Sequence, residues 1–144
     1  MVTLLLKKSY QHKNLKEVKF NNLWNYHGIF TTMRIIGKPQ KILFFKEHID
    51  NLIRSLKIYK INKKNLKKNI LKLIKLNIDK NKKFDHLLRV ASNNKLISIS
   101  IRKRYKTKKN FTLTLVNYKR IDPEFKNLKY KIIHKYLKNV DTTK

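Results

Sequence analysis

The period of the apolar residues changes twice along this chain, and that change limits the folds open to it. Between Lys46 and Tyr59, Ile49, Leu52, Ile53 and Leu56 recur at spacings of three and four, which makes one apolar stripe on a helix. A second stripe, Leu66, Ile70, Leu73 and Ile74, spans about Lys64–Ile78 with lysine on its other side. On either side of this helical pair the helical spacing stops, and after it the period drops to two. Leu15–Phe20 and Gly28–Ile36 read as strands, the latter rich in β-branched and aromatic residues. Gly37-Lys38-Pro39 is a turn signal, and Lys41–Phe45 is a further short run, so Gly28–Phe45 reads as a β-hairpin. Both glycines of the chain fall in it, where the backbone needs positive φ or a close approach.

After the helices, Phe84–Ser92 reads as a strand and Asn93-Asn94 as a hairpin turn. Leu96–Arg104 alternates Ile97, Ile99 and Ile101 against Ser98, Ser100 and Arg102, and Phe111–Tyr118 alternates likewise. These three segments predict an antiparallel meander with one wet face. Asp122-Pro123 marks a break, and Ile132–Val140 reads as a loop or the start of a helix. Strands and helices are segregated, so the expected class is α+β: a small antiparallel sheet with two helices on one face.

Composition excludes several functions. Cysteine is absent, so there is no disulfide framework and no thiolate metal site. No apolar run approaches the roughly 18 residues a membrane span requires. Two glycines cannot supply a phosphate-cradling loop. The five histidines, His12, His27, His48, His86 and His134, lack zinc-ligand spacing. Eight acids make paired-carboxylate catalysis a poor expectation, and nucleophile triads have no local signature.

The net charge of +29 suggests a nucleic-acid partner at first sight. Of the 37 basic residues, however, 31 are Lys and 6 are Arg, and Lys, Asn and Ile together make 64 of 144 residues, the trio that AT-rich codons specify. Arginine, the residue suited to bidentate contacts with bases and phosphates, is scarce. The alternative of a small Lys-rich, ribosomal-type nucleic-acid-binding protein would use Phe20, Trp24, Tyr26, Phe30, Tyr105 and Phe111 as stacking platforms. Core packing explains most of these aromatics equally well.

Two segments carry a more specific signal. Tyr26-His27-Gly28-Ile29-Phe30-Thr31-Thr32-Met33-Arg34 resembles the "Y-G-D-G-v-F-e-T-i-R" signature of class IV aminotransferases. Ile42 to Ser55, with His48, Asn51, Leu52 and Arg54, resembles that family's "f-l-x-x-H-l-x-R-L-x-x-S". The wording is close to the aminodeoxychorismate lyase-like and branched-chain aminotransferase-like members. The resemblance covers about residues 15–140. It implies the N-terminal part of a fold type IV enzyme that uses pyridoxal 5'-phosphate, usually as a homodimer. Residues 1–121 would form the small domain, and 122–144 the interdomain link and the start of a large domain that is mostly missing. The substrate would be an amino acid or an aminodeoxychorismate-like molecule, and no membrane is involved.

The resemblance also assigns roles. Lys129, in Leu-Lys-Tyr, resembles the "A-K-Y-S" Schiff-base lysine, and Lys131, five residues before Tyr136, resembles the "K-x-x-x-x-Y-L" arrangement in which the tyrosine supports the cofactor's phenolic oxygen. Lys129 is the favoured candidate. Such an amine must be neutral to attack an aldehyde. In a chain with 31 lysines, any one of them is ordinarily a solvated surface charge. Asn51 stands where the family has the arginine that grips the cofactor phosphate, and Arg54, one helical turn on, would reach the same face. The glutamate that pairs with the pyridine nitrogen lies further along in the family than Lys144. The expectation is therefore a fragment or truncated product of such an enzyme, inactive as these 144 residues alone.

Overall fold

The computed structural model describes residues 4–105, 115 and 117–138. Strands β1 (Leu4–Gln11) and β2 (Glu17–Val18) come first, followed by β3 (Gly28–Gly37) and β4 (Lys41–Ile42). Helices α1 (Phe45–Ile58) and α2 (Leu66–Asn77) precede β5 (Phe84–Asn93) and β6 (Leu96–Lys103), and α3 (Lys131–Lys138) closes the series. The strands form one antiparallel sheet in the order β2-β1-β6-β5-β3-β4. The class is α+β, as the sequence predicts.

Register explains the layers. Residues directly opposite one another share a face of a sheet, and Ile29↔Ser92↔Ile97 and Thr31↔Val90↔Ile99 are aligned across three strands. One face therefore carries Ile29, Met33, Ile35, Leu88, Val90, Ile97, Ile99 and Ile101, all buried in one cluster with Ile49, Leu52 and Leu56 of α1 and Ile70, Leu73 and Ile74 of α2. Each such side chain contributes about 1.5–3 kcal/mol on burial, so this layer dominates the stability.

Three expectations change. The first strand, β1, has no counterpart in the sequence reading, yet it pairs with β6 from Leu4↔Arg102 to Gln11↔Leu96. It holds the place beside β6 that a meander would give to Phe111–Tyr118. That segment lies largely outside the described residues, and Leu115, Asn117 and Tyr118 carry no strand. The strand expected over Leu15–Phe20 shortens to Glu17–Val18.

The third change concerns the wet face. Ser9, Ser98 and Ser100 on it are buried. Ser9 and Ser98 hydroxyls lie 2.8 Å apart, the Ser98 hydroxyl donates to Asn21 O at 2.6 Å, and the Asn21 N–H donates to Ser9 Oγ at 2.9 Å. Residues 21–25 and the returning segment 125–130 roof this face, forming a second small cluster of Leu23, Ala91 and Leu128 with Trp24, Phe30 and Leu96. An alternating strand reports only that its two faces differ, and small hydroxyls bury well once a backbone group meets them.

The returning segment docks on the outer edge of β3, ahead of β4. Phe30 N–H donates to Lys126 O at 2.8 Å and Leu128 N–H to Gly28 O at 3.0 Å, around a bridge between Ile29 and Asn127. Gly28 is required there. A Cβ on it would stand 2.4 Å from Ser92 O and 2.8 Å from Leu128 Cδ1. Gly37, at φ 82°, serves the hairpin turn instead.

Candidate functional site

Where the returning segment meets β3 and α1, it leaves a cleft of about 450 Å³. Thr31 of β3, His48, Asn51, Arg54 and Ser55 of α1, and Lys126 give it its polar lining, while Ile29, Phe30, Leu52 and Phe125 supply apolar wall and Glu124 the single acid among the described residues. Helical spacing accounts for the α1 set: positions 48, 51, 52 and 55 lie on neighbouring turns of one side. Thr31 is buried on the helix-covered face and its hydroxyl lies 2.9 Å from His48 Nδ1, in a hydrogen bond that ties strand to helix. Burial, and next the charge of Lys126, hold the His48 pKa below the ordinary imidazole range, with Glu47 acting weakly the other way. His48 is thus a neutral positioning group, not a charge.

Asn51 and Arg54 occupy the same cleft, and the Arg54 guanidinium donates to Asn51 Oδ1. The asparagine orients the arginine one turn away. Lys126 adds a second cation that sequence reasoning missed, since nothing distinguishes it among 31 lysines. Its only signal is its place in the segment that also carries the candidate Lys129. Thr31 and Ser55 were likewise passed over, although both stand inside the two motif segments.

The two candidate lysines and Tyr136 do not line this cleft. Lys129 lies one ring away. Its ammonium is 3.8 Å from Asp122 Oδ2 and 5.9 Å from the centre of the Tyr59 ring, and that ring packs edge-on against Phe125 of the cleft wall at 5.5 Å. Asp122 also accepts the Tyr59 hydroxyl at 2.6 Å. Burial first, and then this bond, raise the Tyr59 pKa well above the ordinary phenol range. The Lys129 backbone is pinned by its N–H donating to Asn127 Oδ1 at 3.0 Å, so only the side chain has freedom. Lys131 opens instead onto a separate depression with Asn25, His134 and Lys135. Tyr136, 37% exposed, packs its ring near Tyr118.

The aromatics considered as stacking platforms divide. Trp24 and Phe30 pack on each other at 5.0 Å beneath Arg89, whereas Tyr26 and Tyr105 are exposed, and Phe111 lies outside the described residues. Among the described residues no helix is long and apolar enough to cross a membrane, and no three His, Asp or Glu side chains are placed to hold a metal ion.

In this six-stranded α+β fold an arginine, a lysine, two hydroxyls and an amide converge at the mouth between β3 and α1, a donor set suited to an anion. The model of the amino-transferase class IV family matches residues 28–143, and the chain belongs to that family, whose members generally depend on pyridoxal phosphate. No curated protein and no solved structure matches the chain.

Proposed function

We propose that this chain builds the small-domain wall of a pyridoxal-phosphate site, in an aminotransferase or an aminodeoxychorismate lyase-like enzyme. The observation that carries the reading is the convergence of Arg54 and Asn51 with Lys126 in one cleft beside Ser55 and Thr31. Two cations and two hydroxyl donors against one acid fit a phosphate dianion. On this reading Arg54 and Lys126 replace the single phosphate arginine that the family keeps at the position of Asn51. Pyridoxal phosphate, when bound, supplies an electron sink beside the substrate's α-carbon.

The chain's own residues then have distinct tasks. Asn51 holds the Arg54 fork in place. His48, kept neutral, fixes Thr31 without adding charge. Phe30 and Phe125 exclude water from one side. Lys129 would be the amine that holds the cofactor aldehyde, once its ammonium has given up a proton: Asp122 holds that ammonium at 3.8 Å, a loose contact, and the Tyr59 hydroxyl donating to the same carboxylate weakens that hold. Release of Asp122 lets Nζ turn past the Tyr59 edge toward the cleft. The rest of the site, including the acid that pairs with the pyridine nitrogen, is taken to come from a large domain that 122–144 begins to enter, within a homodimer. The products would be a keto acid or, in the lyase-like branch, pyruvate and 4-aminobenzoate.

The test is titration with pyridoxal phosphate, borohydride reduction and peptide mapping. Reduction fixes the label on Lys129. Arg54→Ala weakens binding by about 10- to 100-fold, the value of a charge-assisted contact, and leaves binding of unphosphorylated pyridoxal unchanged. Label on Lys126 would reassign the amine, and absence of label between residues 122 and 138 would overturn the reading.

A further inference from the structure

A larger concavity lies elsewhere, sharing no lining residue with the cleft above. It measures about 730 Å³ and sits where the end of β1, the β5–β6 turn and the start of α2 come together. Four lysines from three separate parts of the chain face it: Lys13 beyond β1, Lys63 and Lys64 before α2, and Lys95 in the turn. Among the described residues no acid and no Phe, Tyr or Trp lines it, His12 supplying the one ring, and none of these four lysines belongs to an ion pair.

The frame behind the lysines is rigid. Asn93 Oδ1 accepts the N–H groups of Lys95 and Leu96, each at 2.8 Å, which fixes the turn. His12 Nε2 lies 2.9 Å from Asn93 O and 3.1 Å from Ser92 Oγ, so it pins the end of β1 to the same turn. Asn65, the N-cap of α2, and Asn69, at the end of its first turn, also line the concavity. That helix has no side-chain cap and no acid in its first turn, whereas α1 carries Glu47 there. Its first N–H groups and the positive end of its dipole therefore add to the lysine field. Four ammonium groups around one hollow repel each other, and an anion between them relieves that repulsion.

We propose that this concavity binds an oligophosphate: two or more phosphates linked in a row. Ammonium groups are point charges without the bidentate geometry that grips a single phosphate. Four of them, spread over three parts of the chain, match several anionic groups along one chain better than one. The size falls within the roughly 300–1,000 Å³ of small-molecule sites. The one ring in the lining, His12, is half-buried and tied through Nε2 to Asn93 O and Ser92 Oγ, so a base or nucleoside attached to the phosphates gains little stacking, and recognition rests on the phosphate chain.

Isothermal titration of the whole chain with tripolyphosphate and with orthophosphate tests this. Tripolyphosphate binds at least about tenfold tighter than orthophosphate. Lys63→Glu combined with Lys64→Glu weakens tripolyphosphate binding by about tenfold or more, whereas Lys38→Glu with Lys41→Glu, the same charge change at the opposite edge of the sheet, alters it by less than about twofold. All these lysines are surface residues, so unchanged thermal unfolding of each variant is expected and is checked first. Arg54→Ala leaves tripolyphosphate binding intact, which separates this site from the cofactor cleft. ATP binding like tripolyphosphate supports recognition of the phosphate chain alone. Equal losses in the two lysine pairs, loss in Arg54→Ala, equal affinity for one phosphate and three, or ATP binding about tenfold tighter than tripolyphosphate would each overturn the proposal.

Discussion

One face of the sheet meets α1 and α2 with eight buried aliphatic or thioether side chains, from Ile29 to Ile101. Among the described residues the other face meets loop, the returning chain and, through Trp24, His134 of α3, and it presents Ser9, Ser98, Ser100, Phe30 and Arg89. The first contact is non-directional, so its stability follows from area and packing. The second must satisfy the hydrogen bonds of every backbone group that crosses it. It does so for the serines, but Arg89 Nε and Nη2, Arg120 Nε, Tyr118 Oη and His134 Nε2 stay buried without a partner among the described residues. The difference separates tasks. The helix-covered face holds the domain together, and the other holds a segment of chain, 126–129, in position beside the candidate cofactor cleft.

If that division is right, equal truncations have unequal effects. Leu88 and Leu128 are both fully buried, one on each face. Leu88→Ala costs about 3–4 kcal/mol, because the helices cannot collapse into the cavity. Leu128→Ala costs about 2 kcal/mol, because a loop-borne segment can settle by small shifts. Urea denaturation measures both. Equal losses would erase the distinction and make the second face a core in its own right.

Arg89 gives a smaller and sharper test. Its guanidinium lies 3.9 Å from the Trp24 ring centre and 5.1 Å from that of Phe30, and it donates one bond, to Asn22 O at 2.8 Å. Burial pushes its pKa down to about 10, and among the described residues no carboxylate pairs with it. Cation–π contact contributes about 0.5–2 kcal/mol, and desolvation of an unpaired charge offsets it. Arg89→Met therefore leaves stability unchanged or raises it by about 1 kcal/mol. A loss above about 2 kcal/mol would mean that the aromatic roof is built around the cation, and that the two faces differ less in kind than in composition.

These two faces were unequally legible in the sequence. Ile97, Ile99 and Ile101, and the stripes Ile49–Leu56 and Leu66–Ile74, announce the helix-covered face, since burial on one side imposes a period. The roof of the other face has no period: Leu23, Trp24 and Leu128 are brought together by backbone bonds between segments about a hundred residues apart in sequence. Strand β1 was hidden for a related reason. Its burial alternates, but Lys7 and Lys8 interrupt the apolar run, and its pairing with β6 spans most of the chain. At the candidate site, Asn51 and Arg54 were readable from a motif. Lys126 was not, because one lysine among many carries no signal until the fold sets it beside His48. Nor was the Tyr59–Asp122–Lys129 cluster, whose members come from the C-cap of α1 and from the far end of the chain.

The helix-covered face has two buried polar residues, Thr31 and Ser92, and each meets a histidine: Thr31 Oγ1 lies 2.9 Å from His48 Nδ1 and Ser92 Oγ 3.1 Å from His12 Nε2. Both histidines have pKa values lowered from 6.5, His12 by burial first, against a bond to Asn93 O and with Lys63 nearby, and His48 by burial and then Lys126. The native state therefore binds these protons less readily than the unfolded chain. The stability tied to their neutral forms is complete above the unfolded pKa, about 6.5, and is lost as pH falls through the lower folded values. Thermal unfolding should be level between pH 8 and pH 7 and decline by a few degrees toward pH 5, above the range where most carboxylates titrate. His12→Asn with His48→Gln flattens that decline. A decline that persists in the double variant would place the acid-sensitive group elsewhere than at these two strand-to-histidine contacts.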